Sequence, residues 1–298
     1  MRLQDWKRSS HDYDHRGYHV FYRDEGQGPA LLFIHGFPTA SYDFAPIWEP
    51  LTQRFRCIAA DMLGFGFSSK PRPYDYRIAD QAELFEGLCR QLQLDEVHLL
   101  AHDYGNTVAQ ELLARHEGRR ERGQRGTVLR SVCFLNGGLF PERHRARFTQ
   151  RLLASPLGPW LASRYDEPRF SGAMRKIFSP KAQPTDETLH DLWQLVTHND
   201  GRAVMPLLIG YMAERRLHRE RWVGALRRSA VPLRFICGAD DPVSGRHMAE
   251  RYRELVPAPD VVLLEDTGHY PQLERPGEVL AAYLEFAERA AAVQAAGG

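Results

Sequence analysis

The chain has 298 residues, 39 Lys and Arg against 38 Asp and Glu, and a net charge of +1. That balance offers no electrostatic case for nucleic acid or an acidic partner. The length suffices for one large α/β domain, or a core with an insertion, and burial of about 75% of the unfolded surface makes disulfides and metals unnecessary for stability.

The N-terminal "MRLQDWKRSSHDYD" lacks the apolar core of a signal peptide. No stretch approaches about 18 uninterrupted apolar residues. A soluble, cytoplasmic protein with no membrane span is expected, its oligomeric state left open. Next in order, "YHVFYRDEG" alternates apolar residues and then turns, as an antiparallel strand does. "ALLFIHG" and "RCIAAD" are short continuous apolar runs, the mark of strands buried on both faces. "IADQAELFEGLCRQLQL" spaces Ile78, Leu84, Phe85, Leu88 and Leu92 as a helix, with Asp80 as its N-cap. "VHLLAH" is a strand running into a turn, and "TVAQELLARH" a helix after it. "VLRSVCFLNGG", "VPLRFICG" and "DVVLLED" supply three later strands. Cys57, Cys133 and Cys237 lie in the strand-like runs and Cys89 in the helical one. None shows paired metal-ligand spacing, so reduced and mostly buried thiols are expected, with no metal or organic cofactor.

Between Leu139 and Ser229 the strand signals vanish and helical patterns take over, as in "TDETLHDLWQLVTH" and "AVMPLLIGYMAERR". Alternating strands and helices predict a mainly parallel sheet flanked by helices. An all-helical insertion, residues 139–229, is expected to cap a core formed by residues 1–138 and 230–298, over the sheet edge where such folds hold ligands. The arginine-rich stretches "RHEGRRERGQRGTVLR" and "ERRLHRERWVGALRR" read as a solvated loop and a solvated helix face.

The chemistry concentrates in "LLAHDYGNT", Leu99 to Thr107. A strand, a turn with small Ala101 and Gly105 on either side of position 103, and a helix make a nucleophile elbow, here presenting Asp103. A helix-capping aspartate would not need small residues on both sides. An acid follows a later strand in "GADDP", and a histidine follows the next in "TGHYP", in the order nucleophile, acid, histidine. In "IHGFP", Gly36 permits close backbone approach, and a cis Phe37–Pro38 bond is possible. The N–H groups of Phe37 and Tyr104 would form a two-donor oxyanion hole.

Together these motifs resemble the α/β-hydrolase fold, in the epoxide hydrolase and haloalkane dehalogenase branch, whose nucleophile is an aspartate. "HGFPTASYDF", "LGFGFSSKPRP", "HDYGNTVAQELL", "NGGLFPERHR" and "HYPQLERP" resemble, in order, segments of its mesoderm-specific transcript (MEST) proteins. The resemblance runs from about Tyr22 to Phe286. It implies Asp103 as nucleophile, Asp241 rather than Asp240 as the acid, and His269 as the base. His35, Pro38, His102 and Trp193 are assigned to the substrate pocket.

An aspartate is already ionised at neutral pH, so a histidine has no proton to remove from it. Attack on an ester would give a high-energy mixed anhydride. Attack on an sp³ carbon gives a stable alkyl ester, provided ring strain or a halide drives it; His269, oriented by Asp241, then activates water to hydrolyse that ester. The resemblance adds that dehalogenases of this branch commonly carry an indole after the nucleophile and an amide in the HG-x-P motif, where this chain has Tyr104 and Phe37. Related epoxide hydrolases protonate the leaving oxygen from cap tyrosines, for which Tyr211 and Tyr165 stand. The expected substrate is therefore a small to medium hydrophobic epoxide, the cap's Phe140, Leu157, Phe170, Ile177, Trp193 and Leu207 being apolar. The alternatives are a haloalkane dehalogenase, with Trp160, Trp193 or Trp222 reaching the halide, and a catalytically silent binding protein on a hydrolase scaffold.

Overall fold

A computed structural model describes residues 1–297. Eight strands form one sheet: β1 His11–His15, β2 Tyr18–Glu25, β3 Ala30–Ile34, β4 Arg56–Ala60, β5 Glu96–Ala101, β6 Val128–Phe134, β7 Leu233–Gly238 and β8 Val261–Leu264. Their order is β1-β2-β4-β3-β5-β6-β7-β8. β2 is antiparallel to β1 and β4, and every pairing from β4 to β8 is parallel. All five residues of β3 are buried, as a strand covered on both faces requires.

Helices α1 Leu3–Arg8, α2 Ala45–Thr52, α3 Ile78–Gln91 and α4 Tyr104–Glu121 precede the long excursion between β6 and β7. That excursion holds α5 Phe148–Leu153, α6 Gly158–Ser163, α7 Glu167–Arg175, α8 Asp186–Thr197, α9 Met205–Leu208, α10 Tyr211–Leu217 and α11 Arg219–Arg228. α12 Arg246–Leu255, α13 Pro271–Glu274 and α14 Pro276–Gly297 complete the chain. One face of the sheet packs Phe33, Cys57 and Cys133 against Trp48 of α2 and Tyr283 of α14. The other packs Leu32, Leu99 and Phe134 against Phe85 of α3 and Val108 of α4. Phe170, Leu189 and Trp222 of the excursion join that second cluster, so the insertion shares apolar packing with the sheet's helices. All four cysteines are free thiols and buried. Among the described residues no helix is long and apolar enough to cross a membrane.

One local expectation needs correcting, and two features add to the sequence reading. α1 and β1 have no counterpart in the sequence reading, because "HDYDH" is polar and buries only His15. Asp80 does not cap α3; the N-cap is Arg77 without a side-chain bond. Asp80 instead accepts from Arg16 (2.8 Å) and from Tyr74. The Ile78 N–H is met by the Glu214 carboxylate of α10 at 3.2 Å, so a residue of the insertion does the capping. The helical pattern in "AVMPLLIGYMAERR" is broken into a 3₁₀ turn, α9 and α10. Pro206 and Gly210 stand at the starts of α9 and α10, where one lacks a backbone N–H and the other favours interruption.

Candidate active site

β5 ends at Ala101, and the chain turns so sharply that Asp103 takes φ 44° and ψ −104°. A positive φ in a residue with a Cβ is strained by about 1–3 kcal/mol and persists only when its surroundings fix it. Here the Asp103 N–H donates to Asn136 O at 2.8 Å and the Gly105 N–H to His102 O at 2.8 Å. The small residues follow from crowding. A Cβ at Gly105 would lie 2.2 Å from Ile34 O, and one at Gly137 would lie 2.7 Å from Asp103 Cα.

The carboxylate that this turn lifts is 2% exposed. Its Oδ2 accepts from the Phe37 N–H at 3.3 Å. Tyr104 opens α4, so its N–H belongs to the first turn, whose donors have no partner within the helix. Oδ1 has no hydrogen bond, so its lone pairs are unpartnered. It faces two groups: His269 Nε2 at 3.9 Å and Arg215 Nη2 at 3.8 Å.

His269 follows β8, and its Nδ1–H donates to Asp241 Oδ2 at 2.7 Å. Asp241 follows β7 and is buried in donors. Its Oδ2 also accepts from Asn136 Nδ2 (3.0 Å), the Ser244 N–H (3.0 Å) and Ser244 Oγ (2.6 Å), and Oδ1 accepts from the Val243 N–H (2.7 Å). Burial disfavours the Asp241 charge, but His269 and these donors outweigh it and hold the carboxyl well below its usual range. Burial likewise pushes His269 down, and the charge and hydrogen bond of Asp241, with Asp103 behind them, raise it to about 9. The arrangement is a buried carboxylate with one free oxygen, facing a histidine whose other nitrogen is held by a buried acid.

The alpha/beta hydrolase fold family matches residues 29–276 of the chain. The protein belongs to the α/β-hydrolase family. It is 43% identical over 295 residues to the mesoderm-specific transcript protein of Mus musculus, covering 95% of this chain and 87% of the relative. The α/β-hydrolase fold recurs in the haloalkane dehalogenase DbeA from Bradyrhizobium elkani, with a TM-score of 0.78, 23% identity and coverage of 97% and 99%. It recurs also in the epoxide hydrolase CorEH, with a TM-score of 0.76, 18% identity and coverage of 93% and 97%.

The residues assigned from sequence to this α/β-hydrolase's pocket divide. Phe37–Pro38 is a cis peptide, with Phe37 buried and Pro38 half-buried beside the elbow. His35 is a strut and presents no free nitrogen: Nδ1 bonds Gly36 O at 2.9 Å and Nε2 accepts from the Met62 N–H at 3.0 Å. His102 Nε2–H donates to His269 O at 2.8 Å, and burial followed by repulsion from His269 pushes its ring down to about 4. His102 thus ties the His269 loop to the elbow as a neutral donor. The His269 N–H donates to Ile177 O of the insertion at 2.8 Å, tying the loop from its other side.

Of the tyrosines, Tyr211 is 1% exposed, with its Oη lacking any hydrogen bond and its ring centroid 6.3 Å from Phe37 and 4.9 Å from Tyr104. Burial, and then the Asp103 charge, push its phenol up. Tyr165 is half-buried and its ring meets Trp193 at 6.1 Å, and Phe170 meets the same indole at 5.4 Å. Two of the three tryptophans considered for a halide are committed elsewhere. Trp222 donates its indole N–H to Glu111 at 2.8 Å, and Trp160 is 55% exposed. Leu157 and Leu207, expected to be among the cap's substrate-side apolar residues, are exposed as well. Among the described residues no three His, Cys, Asp or Glu side chains come together as a metal site.

Arg215 is the residue that sequence reading missed. It lies in the stretch read as a solvated face, yet it is 2% exposed. Its Nε donates to Thr107 Oγ1 at 2.6 Å and its Nη2 to Asp103 O at 2.9 Å. The available signal was spacing: Tyr211 and Arg215 are four apart on α10 and share a face.

Proposed function

We propose that this α/β-hydrolase opens small to medium hydrophobic epoxides through a covalent alkyl ester on Asp103. Residues 139–229 act as the cap, and residues 1–138 and 230–298 as the core. Asp103 Oδ1 attacks an epoxide carbon, and the ring oxygen leaves with the electron pair of the broken C–O bond. His269, oriented by Asp241, then takes a proton from water, which attacks the ester carbonyl. The N–H groups of Phe37 and Tyr104 hold the oxyanion, as electrostatic stabilisation of this kind requires.

The observation that carries the reading is the Tyr211 hydroxyl, buried near the nucleophile, without a hydrogen bond of good geometry and with Arg215 as the one side-chain donor acting on it. An unsatisfied buried hydroxyl costs about 1–3 kcal/mol. That cost is offset when a ligand supplies an acceptor, and the oxygen of an opening epoxide is one that also needs a proton. A second reading, haloalkane dehalogenase, draws on Arg215 Nη1, a buried N–H donor without a partner.

The test is single turnover of an epoxide in ¹⁸O-water. Label in an Asp103 carboxyl oxygen supports the ester; label confined to the diol removes the covalent step. A parallel panel of epoxides and haloalkanes separates the readings. Halide release without epoxide turnover selects dehalogenation, and turnover of neither selects a binding protein on this scaffold.

A further inference from the structure

A buried cation beside a nucleophilic carboxylate poses a problem of charge. The Arg215 guanidinium lies 3.8 Å from Asp103 Oδ1, and alkylation turns that carboxylate into a neutral ester. The cation would then be left buried without its counter-charge, which is strongly disfavoured. The other groups around it do not make up the loss. Thr107 Oγ1 and Asp103 O are neutral acceptors. His144 crowds the same point above Gly138, where a Cβ would lie 2.3 Å from Arg215 Nη1 and 2.9 Å from His144 Nδ1. Both ring nitrogens of His144 are buried and unpartnered. The guanidinium carbon also sits 4.4 Å from the centroid of the Tyr211 ring.

We infer that Arg215 is a catalytic residue, the fixed cation that holds the negative charge first on Asp103 and then on the Tyr211 side as the carboxylate is alkylated. The inference rests on the alkyl-ester reading above. In the step, an Oδ1 lone pair forms the ester bond, the epoxide C–O bond breaks, and its electron pair goes to the ring oxygen. That oxygen takes the Tyr211 proton, so the charge comes to rest on the phenolate. Water then gives one proton to His269 as its oxygen bonds the ester carbonyl carbon; the acyl C–O bond breaks, the departing alkoxide takes water's second proton, Asp103 is restored as a carboxylate, and the imidazolium proton returns through solvent to the phenolate. Arg215 touches both the group that loses the charge and the group that gains it, so it need not move. Its unpartnered Nη1 is a donor held in reserve for an anion at this point.

The decisive experiment needs no turnover. Asp103→Ala removes the carboxylate and opens a space beside the guanidinium, and acetate is the probe. Calorimetric titration should show acetate binding to Asp103→Ala at least about tenfold more tightly than to the unmodified protein, a difference of about 1.4 kcal/mol. Adding Arg215→Met should abolish the gain, and adding Arg215→Lys should keep part of it. In a second arm, Arg215→Met should slow alkylation by a terminal epoxide about 10²–10³-fold in single turnover, with Arg215→Lys intermediate and KM changed only a few-fold. Equal acetate affinity with and without Arg215, or an unchanged alkylation rate in Arg215→Met, overturns the inference. Arg215-dependent acetate binding in a protein that no epoxide alkylates overturns the epoxide reading and leaves Arg215 as the charge-holding group. If Arg215→Met fails to fold, the Arg215→Lys comparison decides, since a purely structural clamp would lower thermal stability without shifting acetate affinity.

Discussion

His269 Nε2 stands 3.9 Å from Asp103 Oδ1, beyond hydrogen-bond reach, while its Nδ1 is bonded to Asp241 at 2.7 Å. A histidine that activated the nucleophile would bond it; one that activates water leaves room for the water. His269→Gln should therefore permit alkylation and block hydrolysis. Intact mass after incubation with an epoxide should rise by the mass of the substrate. A variant that neither turns over nor gains mass would show that His269 acts before the ester forms.

Asp241 and Asp240 are adjacent but sit in opposite environments, the first buried among five donors and the second exposed. Asp241→Asn should lower the rate of ester hydrolysis steeply, because the amide can present an N–H to Nδ1 and force the wrong tautomer; a comparable exchange elsewhere costs about 10⁴-fold. Asp240→Asn should leave activity within about twofold of the parent, since a surface carboxylate contributes little. Burst and steady-state rates of the two variants make the comparison.

Removing one general acid costs on the order of 10²–10⁴-fold. Tyr211→Phe should lose that much in alkylation of an epoxide, and almost nothing with a haloalkane, whose leaving group needs no proton. Tyr165 packs on Trp193, so Tyr165→Phe should have the smaller effect. Rapid-quench measurement of the alkyl-enzyme separates the two. A Tyr211→Phe protein that alkylates at the parent rate would take the phenol out of the mechanism.

The raised His269 pKa also fixes a pH dependence of stability. Burial opposes the charged ring, but Asp241 and Asp103 bring it to about 9 from the ordinary 6.5. A folded-state pKa above the unfolded one stabilises fully below pH about 6.5, and the contribution is lost as pH climbs through about 9. The melting temperature should fall across that interval, and Asp241→Asn should flatten the fall. Alkylation removes the Asp103 charge that helps raise His269, so hydrolysis of the alkyl-enzyme should titrate with a midpoint below that of the resting ring. Equal midpoints would mean that Asp103 does not couple to His269.

The sheet and the elbow were legible because their signals are local. Buried parallel strands are apolar runs, and "AHDYG" carries its steric demand in two small residues. The acid and histidine were legible through their position after strands. What the sequence concealed was tertiary. β1 is a polar edge strand held by pairing with β2, without an apolar pattern of its own. The cap of α3 comes from Glu214, 136 residues further along the chain. Arg215 stands among arginines that are mostly solvated, and only the docking of α10 on the elbow separates it from Arg216, which is exposed. His102 adjoins the elbow in sequence and His35 opens the HGFP motif, as pocket residues would, but their hydrogen bonds serve the backbone of neighbouring loops.

The four buried cysteines acquire a meaning from this chemistry. A protein that concentrates electrophiles risks being modified by them, and thiolates are the side chains most readily attacked at carbon. Burial pushes the Cys89 thiol up to about 12, and Cys57, Cys133 and Cys237 are shifted in the same direction. Few of these sulfurs are ionised at neutral pH, and thiol reactivity follows the ionised fraction. In the function proposed above, Asp103, with its open oxygen, is the group that captures a strained ring, and His269 the group that reverses the adduct. The folded protein is in this sense its own protecting group.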